Sequence, residues 1–249
     1  MRRTLSLAIC LLLGGLLTAC TPAADAANAA ASGPSTVDFD LEAIPQSERW
    51  RLAVPNFEVR SNTVRIGEAD LEEQGEGFFN EIGSGVADIF VTEAFRSQQF
   101  VLTERAELDK VLGEQNLASS GRVSQETAAE LGRITGAELL VLGSVSEFSV
   151  QTTGGGGKVL GVFGGSAETV TATVGVDVRV VDAVTAEIVA IGVGRDRQSQ
   201  TNVSIDILNV IRGLQAGQSG NTIVDVAVRN AIRKAINEVA FTLPAKTQN

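Results

Sequence analysis

The side chain best placed to do chemistry is the thiol of Cys20, which closes the sequence Leu17-Thr18-Ala19-Cys20. Arg2 and Arg3 make a positive start, Leu5 to Leu17 an apolar run, and small residues lead to the cysteine. This is the layout of a secretory signal, too short to span a membrane as a stable helix. An ordinary signal ends in small residues and has no use for cysteine. A small residue followed by Cys reads as a lipobox, where the thiol takes a diacylglycerol and the new amino terminus a further acyl chain. Several chains give a stable anchor, where one alone holds only marginally. Thr21 stands where an Asp would retain the protein at the inner membrane, so the expected address is the inner leaflet of the outer membrane, facing the periplasm.

Other chemistries lack their residues. The 249-residue chain has no histidine, which removes the commonest general base and metal ligand. Its two cysteines are Cys10, inside the signal, and Cys20, so the mature chain has no disulfide framework and no cysteine metal site. Gly154-Gly155-Gly156-Gly157-Lys158 invites a phosphate-loop reading, but Val159 stands where Ser or Thr is required and Thr152 where the first glycine should be. The acids between Glu68 and Glu76 lack EF-hand spacing and read as a solvated loop. No Ser–Lys or paired-carboxylate spacing stands out. The expectation is a protein that is not an enzyme and carries no cofactor or metal. Loss of the signal's two arginines takes the net charge from −10 to −12, which argues against a nucleic-acid partner.

The elements that must carry such a protein fall into three parts: the signal at 1–19, the lipidated Cys20 and an Ala-rich flexible tether to 49, and one folded domain over 50–249. Arg51 to Val59 suggests a first strand. Phe79, Ile82, Val86, Ile89, Phe90 and Ala94 recur at helical steps. Phe100 to Thr103 reads as a strand, residues 108–117 and 125–134 as helices, and Leu139 to Leu142 as another strand. This β-α-β-α-α-β order predicts an α/β layer domain with a mixed sheet and flanking helices. Beyond Gly143 the period becomes two. Val170, Ala172, Val174, Val176, Val178 and Val180 share one face of a long strand, with Thr169, Thr171 and Thr173 on the other. Ser199, Thr201, Val203, Ile205 and Ile207 alternate with Gln198, Gln200, Asn202, Ser204 and Asp206. A final amphipathic helix carries Val228, Ile232, Ala235, Ile236, Val239 and Leu243.

Two readings of the alternation stand side by side. Two long hairpins, at about 147–178 and 190–220, fit an outer-membrane barrel with lipid outside and water inside. An ordinary sheet with one face on a core and one in solvent fits the same pattern. Arg195 and Arg197 share parity with Val193 and would each cost roughly 2–4 kcal/mol at a bilayer midplane. Four strands cannot close a barrel, so insertion requires several subunits. If the second hairpin inserts, Val203, Ile205 and Ile207 face lipid, and Gln198, Gln200, Asn202 and Ser204 are the candidate lumen-facing residues.

The segments Phe100 to Arg105, Val111 to Gln115, Gly136 to Val145 and Val178 to Ile188 resemble the CsgG family of curli secretion channels, in an order and spacing that run from about Trp50 to Leu243. The resemblance implies a homo-oligomeric ring, nine subunits in the curli channel, each giving two hairpins to one transmembrane β-barrel above a periplasmic cage. It implies diffusive secretion of curli-like or other unfolded polypeptides, with possible periplasmic accessory proteins as further partners. The family's constriction loop precedes the first long helix with a Tyr, an Asn and a Phe. Here Phe78 falls at the Phe position, Glu73 at the Tyr position and Gly77 at the Asn position. Glu73, Phe78 and the adjoining Phe79 are therefore the constriction candidates, and the departures set this loop apart from the curli type. The rival function is a periplasmic lipoprotein of the same fold that works in envelope assembly or binding without a pore.

Cys20→Ser is expected to abolish palmitate incorporation and leave the protein unprocessed. Metabolic labelling that survives the substitution would overturn the anchor assignment.

Overall fold

The strand read from alternation at Glu168 to Val181 is the middle of the longest pairing in the molecule. In the computed structural model, the described residues are 34–67, 71, 74–104, 112, 115, 136–154, 168–201, 207–217 and 223–246. The chain divides into two units, Met1–Ser32 and Gly33–Asn249, and the elements below all belong to the second. In chain order they are β1 (Trp50–Ala53), β2 (Glu58–Val59), β3 (Val64–Ile66), α1 (Glu76–Ser97), β4 (Phe100–Leu102), β5 (Leu139–Gly154), β6 (Glu168–Asp182), β7 (Ile188–Thr201), α2 (Ile207–Gln215) and α3 (Ile223–Thr242). The described strands form one mixed sheet in the order β4-β1-β5-β6-β7, with β2 and β3 also pairing parallel to β5.

Strands β5 and β6 pair antiparallel from Leu139↔Asp182 to Gly154↔Glu168, with one irregularity between Val145 and Glu147. Strand β7 adds antiparallel to β6, from Val181↔Ile188 to Thr169↔Thr201. The β6–β7 turn is closed by Asp182, whose Oδ1 accepts the N–H groups of Val184 and Thr185 at 2.8 Å each. Those N–H groups hold its carboxyl below the ordinary range. Ala186 completes the turn at φ 60°.

Side chains alternate across a strand, so each strand has a covered and an open face. On β6 the apolar set from Val170 to Val180 lies in the core, with Val170, Ala172, Val176, Val178 and Val180 at 0% exposure. Helices α1 and α3 contribute Phe79, Ile82, Val86, Ile89, Phe90, Ala227, Ile232 and Ile236 to the same core. Helix α2 adds Val210, Ile211 and Leu214. The first strand read from sequence is two short strands instead, because Phe57 between them turns inward against Phe90, 5.4 Å between centroids. Gly143 makes room for that ring: a Cβ there would lie 2.3 Å from it.

Three sequence readings change. The alternation extended to Ile207 meets the start of helix α2 there, so Ile207 to Gln215 is helical where the second hairpin was drawn. Strand β7 is a third strand on the first hairpin, paired to β6. The segment read as tether up to residue 49 is partly packed, since Phe39 lies against the core. The sequence-read helices at 108–117 and 125–134 fall almost wholly outside the described residues.

Helix α3 rests directly on the backbone of β7. A Cβ at Gly194 would lie 1.7 Å from the carbonyl oxygen of Ala231, and one at Gly192 2.3 Å from that of Ala235. Helix and strand can approach this closely only because all four residues are small. Gly194→Ala should therefore destabilise by about 3 kcal/mol, at the upper end of overpacking costs. Chemical denaturation checks it; an unchanged midpoint would mean that α3 stands off the strand.

Candidate functional site

The register decides which polar residues share a face. Thr171 and Ser199 touch hydroxyl to hydroxyl at 3.0 Å, and Thr169 and Thr201 at 3.2 Å. The odd positions of β6 and β7 therefore lie on one open face, together with Ser149, Gln151 and Thr153 of β5. That face is built of hydroxyls and amides at the end of the sheet where β5 and β6 stop, and Gln151 to Gly154 are exposed throughout. On each strand the opposite parity belongs to the core.

The candidate lumen residues divide accordingly. Gln198 and Gln200 lie on the even parity, the face of Val170 and Ala172, not with Thr169, Thr171 and Thr173. The hydrophilic sets read from the two strands separately thus do not share a face. Gln198 is buried: its Nε2 donates to Asp196 Oδ2 at 2.7 Å and to Ser35 O at 3.3 Å, and its Oε1 accepts Ser35 N–H at 3.2 Å. Gln200 is half-buried. Asn202, Ser204, Val203 and Ile205 lie outside the described residues.

Among the constriction candidates, Phe78 and Phe79 open α1 and meet edge to face, 5.2 Å apart at 90°. Phe79 is a core residue and Phe78 is half-buried against the same core. Phe79 also borders an open cleft of about 450 Å³ with Arg60, Ser61, Gln74 and Glu76. Glu73 and Cys20 lie outside the described residues. No described helix is long and apolar enough to cross a membrane, which bears on helices alone.

The chain's own segment Ser35 to Phe39 is clamped along β7 and α3. The Oδ1 of Asn230 accepts Val37 N–H at 2.8 Å and its Nδ2 donates to Ser35 O at 2.7 Å, so one side-chain amide reads two backbone groups. Arg233 donates to Val37 O at 2.7 Å and its guanidinium lies 5.6 Å over the Phe39 ring. Sequence reasoning missed this clamp. Its one signal is a polar Asn230 beside the apolar stripe of a helix that turns out buried on nearly every side.

Arg233 also reaches the most buried charge. Glu93 of α1, 0% exposed, accepts from Arg233 Nε at 2.7 Å, from Arg229 Nη1, and from Arg96 Nη1 at 3.1 Å. Burial by itself would raise the Glu93 carboxyl, but the hydrogen bonds and charges of Arg233 and Arg229 outweigh it and hold the group below its ordinary value. These charges fasten α1, α3 and the N-terminal segment together.

The seven-stranded mixed sheet, its open hydroxyl face and the helices packed on the other side define a layered α/β module. The chain belongs to the family described as curli production assembly/transport component CsgG, which it matches over residues 35–249. No curated protein matches it. Among solved structures it is similar to the hypothetical protein CT253 from Chlamydia trachomatis, at 13% identity over 78% of this chain and 97% of that one, with a TM-score of 0.40. It is similar to XCC0632 from Xanthomonas campestris at 14% identity over 85% and 93%, again with a TM-score of 0.40. The PelC dodecamer from Paraburkholderia phytofirmans aligns at 13% identity over 82% and 96%, with a TM-score of 0.27. At these scores no feature of those proteins is carried over.

Glu93→Gln should cost about 3 kcal/mol, because a fully buried charge site loses its anion: Arg233 is left without a carboxylate among the described residues and Arg229 keeps Asp225. The lowered carboxyl contributes stability that is complete above the unfolded value of 4.5 and is lost as pH falls through the folded one. Denaturation midpoints against pH should therefore show a weaker acid-side fall in the variant than in the wild type.

Proposed function

We propose that this protein is a lipid-anchored subunit of an outer-membrane ring that forms a diffusive channel for unfolded polypeptides. The observation that carries the reading is family membership over nearly all of the chain beyond residue 35, in a family described by curli assembly and transport. The β5–β6 pair supports it: a long antiparallel hairpin with one apolar and one hydroxyl-rich face, the division a membrane barrel uses. In such a barrel the face of Thr169, Thr171, Thr173, Ser199 and Thr201 would line the water-filled lumen. The face of Val170 and Ala172 would turn to lipid. The edges of the sheet are open at this same end. Among the described residues β1, β2 and β3 pair with β5 only as far as Val150, which leaves Gln151 to Gly154 as the edge where another copy would meet it.

A second reading has its own observation. Val170, Ala172 and Val174 are covered by the chain's own core, so a single subunit presents no lipid-facing surface there. In the pore reading, assembly must exchange that cover for lipid. In the alternative, a periplasmic lipoprotein acting in assembly or binding, the cover stays.

Reconstitution of the lipidated protein decides between them. The channel reading expects a multi-subunit ring in mild detergent and stepwise conductance in planar bilayers. A monomer in detergent and a sealed bilayer would support the pore-free alternative.

A further inference from the structure

The open face at the free end of the sheet carries a row of arginines among hydroxyls. Arg65 of β3 pairs with Ser149, Ser149 with Thr173, and Thr173 with Arg197, so the four side chains form one row across four strands. Val64 and Ile66 on either side of Arg65 are buried, which turns Arg65 to the open face. Three strand spacings separate the two arginines by about 14 Å. Arg195 follows on the same face of β7, about 7 Å along the strand from Arg197. All three arginines are exposed.

Among the described residues none of these three side chains is ion-paired. Arg229, Arg233, Lys234, Arg51 and Lys246 are each held by a carboxylate. From this row to the end of the sheet the described residues put no acid on the open face; inward of it lie Asp177, two residues along β6 from Gly175, and Glu147. Glu147 opposes Gly175, which opposes Arg195, placing Glu147 two strand spacings from that arginine, about 10 Å. The remaining lining is Ser149, Gln151, Thr153, Thr169, Thr171, Thr173, Ser199 and Thr201 on β5 to β7, which donate and accept hydrogen bonds without charge. An acidic protein, with formal charge −10, thus reserves a cationic and hydroxylated strip for one end of one face.

We infer that this row is the anion-selecting girdle of the channel, and that the cargo it admits is an acidic, extended polypeptide. The inference rests on the channel reading, which makes this face the lumen wall. Repeated around a ring, one row per subunit gives a closed belt of guanidinium groups, the arrangement by which pores favour anions. Carboxylates of a passing chain meet paired-donor guanidinium groups. Its backbone finds exchangeable partners in the hydroxyls above. Among the described residues the strip has no aromatic side chain to grip apolar residues. Recognition is therefore by charge and by an unfolded backbone.

The test is the zero-current potential of the lipidated protein in planar bilayers under a KCl gradient. The expected preference for chloride over potassium is roughly fivefold, the Boltzmann weight of a potential between one and two kT at the girdle. The double variant Arg65→Gln with Arg197→Gln should bring the ratio close to unity. Arg65→Lys with Arg197→Lys should keep it, which separates charge from folding. Arg60→Gln, away from the row and already paired with Glu58, should leave it unchanged. Poly-glutamate added on the periplasmic side should block the wild type and not the double Gln variant, and poly-lysine should block neither. A conducting channel without anion preference, or with a preference that survives the double Gln variant, overturns the girdle and leaves the channel reading standing. No conductance from any form overturns both.

Discussion

Everything on the open face depends on one close contact made on the other. Helix α3 lies on β7 with Ala231 and Ala235 against Gly194 and Gly192, and no side chain lies between backbone and backbone. This approach buries α3 almost completely and brings its polar side chains to the strand's free edge. There Glu238 accepts Val193 N–H at 2.6 Å and Lys234 donates to Arg195 O at 2.8 Å. An edge strand offers unpaired backbone to any passing chain, and covering those groups is a standard protection. The same helix thus seats the sheet and closes part of its edge.

Glu93 works within that arrangement. A carboxylate at 0% exposure is tolerable only when fully paired, and its partners come from the helix opposite. Because Arg233 is shared with Val37 O, the ion pair also fixes where the N-terminal segment enters the fold. That entry lies at Ser35 beside Gln198, toward the free end of β7.

Much of the architecture was legible from period alone. The apolar steps at Phe79 to Ala94 became α1, those at Val228 to Val239 became α3, and the alternation at 168–181 became β6, because burial of one face imposes its period on the residues. The family was legible too, in the order of four short segments. Less legible were residues whose role comes from partners far away in sequence. Phe57 looked like one apolar position in a strand, yet it turns into the core over Gly143. Glu93 lies within the helical pattern of α1, and nothing in that pattern marks it as buried. Asn230 stood out only as a polar residue beside an apolar stripe, and its partners Ser35 and Val37 lie nearly two hundred positions away.

The sequence by itself determined the period of each element, the absence of histidine and of cysteine ligands, the candidate anchor at Cys20 and the family. Tertiary structure alone decided which parities join into a face. Within one strand alternation is rigid, but its phase relative to the next strand is set by turn length and by bulges, such as those at Val145/Glu147 and Val180/Val181. A one-residue difference in that phase moved Gln198 and Gln200 onto the core side and put Ser199 and Thr201 beside the threonines. It also aligned Arg65 with Arg197, residues that no local pattern connects.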